Sequence, residues 1–506
     1  MSAFLSPTKS GNRRDDLTDT KKPVRHSNAS CRNASLKQSS TQLVDHEVLQ
    51  SERVRSSTDS PTTCDHTQKQ TPAPPSPERL ANNAMTQPSR KPILIAGGGL
   101  ASLLLGQALR RAAIPFAIYE KDASLSFRAQ GYRLRLSSQG LDSIESVPSK
   151  DDFAKVWDEC GKTGGGGKTS LDALTGAEPV QPAPKPEAGA KSTGVASGPP
   201  QGLQSRDGKI VGISRGAMRQ RFMDGCESEV QWGRRVTGYE LTPTGVHAVF
   251  ADGSKSVEGE MLVAGDGINS GVAEQLSKGK LKVYDTGARI VHGQAPVSAF
   301  DGLGEGVWMI ADTSRPNGKV TLITNVRPEA GNDPDATFGW TMVAQPVVIK
   351  IPSDDVTILG SQAADVAKSL AANWHPRLKP LFDRMLDSEA AFWKITCSTP
   401  SGVPQWQNEP CVTVIGDAVH SMTPAGKHSS RNANSPTSLT CTAALGANTA
   451  LRDSALLGKL LADSKGSIEG VTAKYENEMR IYAGEAVATS YGMAKQQLGL
   501  SIQEDS

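Results

Sequence analysis

Ile93-Leu94-Ile95-Ala96-Gly97-Gly98-Gly99-Leu100-Ala101-Ser102 is the stretch on which the fold of this 506-residue chain turns. Four apolar residues in a row suit a parallel strand buried on both faces. Three glycines follow at once, and residues 103–113 then read as a helix with small residues on its first turn. A second apolar strand, Phe116-Ala117-Ile118-Tyr119, ends on Glu120. Strand, glycine turn, helix, strand and terminal acid make a dinucleotide-binding unit. Gly97 permits the tight turn, Gly99 lets the backbone approach a pyrophosphate at the helix N-terminus, and Glu120 stands where a carboxylate accepts hydrogen bonds from a ribose diol. An acid there disfavours a 2′-phosphate, so the unit suits NAD or FAD better than NADP. Ser102 takes the place of the usual third Gly, a small residue at a helix–strand packing position.

Outward from this unit the composition is uneven. With 55 Lys+Arg against 53 Asp+Glu the formal net charge is +2, without the basic excess of a nucleic-acid binder. Only 37% of residues are hydrophobic and 5% aromatic, and the deficit is concentrated in particular segments. Residues 1–90 are polar and charged, close on a Pro-rich run at 71–77, and are expected to form a disordered tail. They carry neither an apolar leader nor an acid-poor presequence, and Met85 is a candidate natural start. Residues 161–205, rich in Gly, Pro, Ala and Lys, read as a flexible exposed loop. Inside it Gly167-Lys168-Thr169 does not complete a phosphate loop, because Lys162 stands where the first Gly is required. The seven Cys form no C-x-x-C pair and no zinc spacing, so a reduced, cytoplasmic compartment and no metal site are expected. No window approaches 18 consecutive apolar residues, so no stable membrane insertion is expected.

Two later stretches repeat the strand-to-turn design. Glu260-Met-Leu-Val-Ala runs into Gly265-Asp266-Gly267, and Cys411-Val-Thr-Val-Ile runs into Gly416-Asp417 ahead of Pro424. A carboxylate at a strand end beside a helix start either caps that helix or binds a ribose or ribityl hydroxyl. Two such acids in this order, behind the glycine unit, favour binding.

In this order the motifs resemble the class A, single-component FAD-dependent aromatic monooxygenases, the group around p-hydroxybenzoate hydroxylase. Within it the chain is similar to fungal FAD-dependent monooxygenases of polyketide pathways. The resemblance covers about residues 91–500. It rests on the Gly97-to-Glu120 unit, Gln130-Gly131-Tyr132-Arg133-Leu134-Arg135, Leu171-Asp172-Ala173-Leu174-Thr175-Gly176, Arg215-x-x-Met218-Arg219, Asp266-Gly267 and Gly416-Asp417.

The resemblance implies an α/β fold. A Rossmann-type FAD-binding domain (91–160, 206–285 and 405–460) is interleaved with a mostly antiparallel β-sheet substrate domain (286–404), and a C-terminal helical segment covers 461–506. It places Gly97, Gly99, Ala101, Glu120 and Lys121 at the ADP half of FAD, and Arg219 at the flavin phosphates or ring. Asp266 would support FAD and the passage of the nicotinamide, Gly416 and Asp417 the ribityl chain, and Ala425 and Gly426 the approach to the isoalloxazine. The implied partners are a small aromatic substrate, O2, and NADPH or NADH as co-substrate. The implied reaction is hydroxylation through a hydroperoxide at the flavin C4a position, with no catalytic side chain required. Epoxidation, Baeyer–Villiger oxidation and a non-catalytic paralogue are the alternatives. His420 reads as packed beneath the cofactor rather than as an acid or base. Runs at 306–311, 319–326 and 337–343 alternate as antiparallel strands, and Trp308, Phe338 and Trp340 are candidates for the ring pocket, with ordinary core the stronger reading.

Two departures stand out. Ala273 occupies a position where the family usually has Arg. Pro424-Ala425-Gly426 is followed by the polar stretch KHSSRNANSPTSLTCTAA (427–444) before Leu445-Gly446-Ala447-Asn448 resumes the family's helix-start loop. Gly426-Lys427 is encodable by a splice-donor sequence, so a retained intron or mis-assigned exon boundary is expected. Translated, the insert is expected to weaken FAD retention.

Overall fold

Ile93–Ala96 expose no surface, so their backbone groups need partners on both edges and their side chains cover on both faces. The computed structural model supplies both. It describes residues 90–125, 133–163, 168–178, 210–326, 336–349, 357–424, 445–465 and 467–504, all within one unit, Met85–Ser506. Ile93–Ala96 pairs in parallel with Phe116–Glu120 on one side and Met261–Ala264 on the other, and the latter pairs in parallel with Val412–Val414. Val230–Trp232 adds a fifth parallel strand beyond Phe116–Glu120.

Alternation along Phe116–Glu120 sets the layers. Phe116 and Ile118 pack against Gly106 of the helix Leu100–Arg111. Tyr119 points the other way, onto Phe250 of the hairpin Val236–Thr242/Gly245–Phe250, with ring centroids 4.9 Å apart. The first helix is in turn covered by the helix Leu445–Asp463, where the Ser454 hydroxyl donates to the Ala101 carbonyl at 2.7 Å.

A second sheet of seven strands runs Thr357–Leu359, Ala391–Ser398, Val283–Pro296, Thr337–Ala344, Val320–Val326, Gly306–Asp312, Lys168–Asp172. All its pairs are antiparallel except the last. One face buries Val291, Ala295, Phe338, Trp340 and Met342 against the helices Ser361–Leu370 and Pro380–Asp383. Phe338 and Trp340 are therefore core, as the stronger reading had it, while Trp308 is half-buried with its indole N–H on the Gly304 carbonyl at 2.7 Å. The fold is the expected α/β arrangement of a parallel sheet, an antiparallel sheet and C-terminal helices, the last of them Val471–Leu498.

The loop expected over 161–205 is corrected in its first part. Gly161–Thr163 pairs with Ile210–Ser214, and Lys168–Asp172 forms the parallel edge of the seven-stranded sheet. Leu171 and Ala173 anchor this edge in the core, and the Asp172 carboxylate accepts from the Leu174 and Thr175 N–H groups to close the following turn. A single large apolar residue in a Gly/Lys/Ala-rich context holds the strand. The end of the expected tail is corrected too, since Arg90 is half-buried and paired with Glu260 at 2.7 Å. Residues 1–89 and 179–209 lie outside the described residues.

Candidate functional site

The glycine turn is fixed by its neighbours. Gly97 has φ +85°, and a Cβ there would fall 2.6 Å from the Asp266 Cα, so only glycine permits the first and second motifs to touch. Gly99 is the N-cap of the helix Leu100–Arg111, and no side chain caps it. The free N–H groups and positive dipole end of an uncapped helix suit a phosphate. Ala101 is buried on the first turn.

Glu120 is buried and held by the main chain. Its Oε2 accepts from the Gly98 N–H at 2.6 Å and its Oε1 from the Asp122 N–H at 2.9 Å. Arg219 lies on the helix Arg215–Met223, whose N-cap Ser214 accepts from the Ala217 N–H. Only 2% of Arg219 is exposed, which excludes a surface ion pair. It donates from Nε to the Gly98 carbonyl and from Nη1 to the Leu125 carbonyl, both at 2.9 Å, and its Nη2 stands 3.6 Å from Glu120. Arg219 and Glu120 thus brace the same glycine from its carbonyl and its amide. Lys121 is exposed, and its charge acts on Asp266.

Asp266 follows the buried strand Met261–Ala264. Burial pushes its carboxyl up to about 6, against the opposing pull of a Ser270 hydrogen bond and of Lys121. Its Oδ1 is buried without a hydrogen-bond partner. Such an atom is costly unless a ligand donor completes it. Ala273 is 3% exposed inside the core, its N–H held by the Ser270 cap at 3.0 Å.

In the third turn Gly416 is buried and the Asp417 that follows it is exposed. Gly416 takes φ +62°, ψ −141°, and a Cβ there would lie 3.5 Å from the Ala101 Cβ, so the first and third motifs also adjoin. Asp417 is itself exposed, but the protein packed around it displaces water and raises its carboxyl, with the charges of His420 and Arg215 working the other way. His420 exposes no surface, and its Nε2 lies 2.6 Å from Asp453 Oδ2. Burial opposes its charged form, but Asp453 outweighs that and the imidazole is raised above its ordinary value. Locked in this pair, His420 has no path to a substrate, in line with its reading as a packed residue.

Asp453 was not singled out from sequence, and Asn448 was named only as part of the helix-start loop. Asp453 receives Gly416, His420 and Tyr482. Asn448 accepts from the Ser137 N–H and donates to the Arg135 carbonyl, each at 3.0 Å, tying the start of its helix to the strand Arg133–Leu136. The signal for Asp453 was present, since it sits on the buried stripe with Leu451, Leu457, Leu460 and Leu461. An acid in an apolar stripe needs partners. Ala425, Gly426, Gln130, Gly131, Tyr132 and the 427–444 insert lie outside the described residues.

These groups fit an FAD: an uncapped helix start for the pyrophosphate, acids at strand ends for hydroxyls, and an unsatisfied Asp266 oxygen between them. No protein-family model matches the chain. It is 28% identical over 461 residues to a dual O-methyltransferase/FAD-dependent monooxygenase of Phaeosphaeria nodorum, covering 83% of this chain and 44% of the relative. A protein of the same description from Cercospora beticola is 25% identical over 444 residues, 81% of this chain and 46% of its own. The chain thus spans less than half the length of these curated relatives. Among solved structures, Klebsiella pneumoniae HpxO complexed with FAD and uric acid aligns with a TM-score of 0.56 at 17% identity, over 81% of this chain and 89% of that one. The 2,6-dihydroxypyridine-3-hydroxylase of Arthrobacter nicotinovorans aligns with a TM-score of 0.57 at 15% identity, over 83% and 96%. No helix among the described residues is long and apolar enough to cross a membrane. The chain is a homologue of fungal FAD-dependent monooxygenases, and its fold is that of the class A FAD hydroxylases.

Proposed function

We propose that the protein is an FAD-dependent monooxygenase that uses NADPH or NADH and O2 to hydroxylate a small aromatic, polyketide-derived substrate. The observation that carries this reading is the meeting of three strand-end turns far apart in sequence, Gly97 against Asp266 and Ala101 against Gly416. Bound FAD supplies the electron transfer and oxygen activation. The chain's own residues bind and orient. The start of the helix Leu100–Arg111 takes the pyrophosphate, Glu120 the ribose, Asp417 the ribityl chain, and Asp266 a donor of the cofactor through its unpartnered oxygen.

The substrate would rest on the face of the seven-stranded sheet opposite its helical core. Ile290, Ile395 and Trp393 on that face pack near Leu445, the first residue of the helix that carries Asp453. Two residues further along the same strand comes His292, whose Nδ1 lies 3.4 Å from the Thr341 hydroxyl. Burial lowers the His292 imidazole to about 4, so it is neutral near pH 7 and suits a phenol or quinone oxygen better than a carboxylate.

The purified protein should carry flavin absorbance. A panel of polyketide phenols should stimulate its NADPH oxidation, with one labelled atom entering the product from 18O2. A colourless protein that takes up no FAD, or NADPH oxidation that no phenol accelerates, overturns the reading.

A further inference from the structure

The Gly416-Asp417 turn depends on a carboxylate from another element. Asp453 exposes no surface and accepts from three separate segments. The Gly416 N–H reaches Oδ2 at 2.7 Å, His420 Nε2 reaches the same oxygen at 2.6 Å, and the Tyr482 hydroxyl reaches Oδ1 at 2.7 Å. Its position is not adjustable, because the next residue, Ser454, is bonded to the Ala101 carbonyl of the first helix. Tyr482 is itself fixed, with the Arg452 guanidinium 3.8 Å over its ring. At φ +62° the Gly416 peptide belongs to no regular element, and Asp453 satisfies its N–H. Asp417 follows in sequence, and His420 closes the same short helix.

We propose that Asp453 is the positioning residue of the cofactor site, clamping the Gly416 amide and the His420 imidazole so that Asp417 presents its carboxylate to the ribityl chain of FAD. The proposal rests on the FAD reading above. A carboxylate offers two acceptor oxygens, whereas the isosteric amide of Asp453→Asn offers one, and its NH2 is turned against a donor. The clamp then loses at least one charge-assisted hydrogen bond.

The test compares Asp453→Asn with Glu476→Gln in the full chain. Glu476 is also a fully buried carboxylate, but its partners are Thr413, Asn408 and Arg480, none of them in the turn. Three quantities are read: FAD affinity of the apo-protein by fluorescence titration, hydrogen exchange of the peptide spanning Gly416, and the visible bands and midpoint potential of bound flavin. Asp453→Asn should weaken FAD binding roughly 10- to 100-fold, speed exchange at Gly416 and shift the bands. Glu476→Gln should lower thermal stability and leave the three readings near wild type. Should Asp453→Asn fail to fold, Tyr482→Phe removes one donor only and should weaken FAD roughly threefold; unchanged affinity in that variant overturns the proposal. Wild-type affinity and spectrum in Asp453→Asn, or an equal loss in Glu476→Gln, likewise overturn the positioning role alone. A wild-type chain that takes up no FAD overturns both this role and the proposed function.

Discussion

Asp266 is a carboxyl that burial makes reluctant to ionise, and this gives the apo-protein a pH signature. Its folded value of about 6 lies above the 3.8 of an unfolded chain. Between those values the folded state holds a proton that the unfolded chain has released. Stability therefore falls as pH rises from about 4 to 6 and levels off above that, by about 3 kcal/mol. Asp266→Asn keeps the shape without the charge and removes this slope. Urea unfolding of the apo-variant and apo-wild type should show the variant gaining about 3 kcal/mol relative to wild type between pH 4 and 7. A difference that does not change with pH would show that Asp266 is ionised at little penalty. The residue was legible from its strand-end position. Its unsatisfied Oδ1 was not, because which oxygen finds a donor depends on the packing of Gly97 and Ser270 around it.

At the scale of elements, legibility followed the density of apolar residues. Ile93–Ala96, Met261–Ala264 and Val412–Val414 are continuous runs flanked by glycine turns, and the strands at Val320–Val326 and Thr337–Ala344 alternate between buried and more exposed positions. Lys168–Asp172 escaped because its single large apolar residue lies between a glycine run and a Pro-rich stretch, and its register comes from Gly306–Asp312, a strand well over a hundred residues later. Asp453 and Tyr482 escaped for a related reason. Helix was expected around both, but the polar contact between them is made by tertiary packing. If Leu171 anchors the edge strand, Leu171→Ala should destabilise the protein by roughly 2–5 kcal/mol, the range for a buried leucine whose cavity collapses only in part. Chemical denaturation measures it, and a change below about 0.5 kcal/mol, the range of surface substitutions, would mean the strand is held by its backbone pairing alone.

For the molecule as a whole, the site is an assembly of long-range contacts. Gly97 meets Asp266, Ala101 meets Gly416, and Asp453 reaches back to Gly416 across the polar stretch 427–444. The described residues on either side of that stretch are firmly placed. The Thr423 hydroxyl bonds to the Ser490 carbonyl at 3.0 Å, and a Cβ at Gly446 would lie 3.6 Å from that of Met422. A chain without residues 427–444 would bridge Met422 to Gly446 with Thr423, Pro424, Ala425, Gly426 and Leu445, ample reach at about 3.3 Å per residue for ends already in contact. The joined sequence, Pro424-Ala425-Gly426-Leu445-Gly446-Ala447-Asn448, is close to the family's helix-start loop, and Asn448 already has its anchors at Ser137 and Arg135. Shortening a loop by 18 residues also lowers its closure entropy, though only by about 1 kcal/mol, so any large effect must come from the site itself. The shortened protein should therefore retain FAD through gel filtration at higher occupancy than the 506-residue chain, with tighter coupling of NADPH oxidation to product. Equal occupancy and coupling in the two forms would show that the stretch leaves the cofactor loop intact, and amplification of the transcript across codons 420–450 would then be expected to return the longer message as its major form.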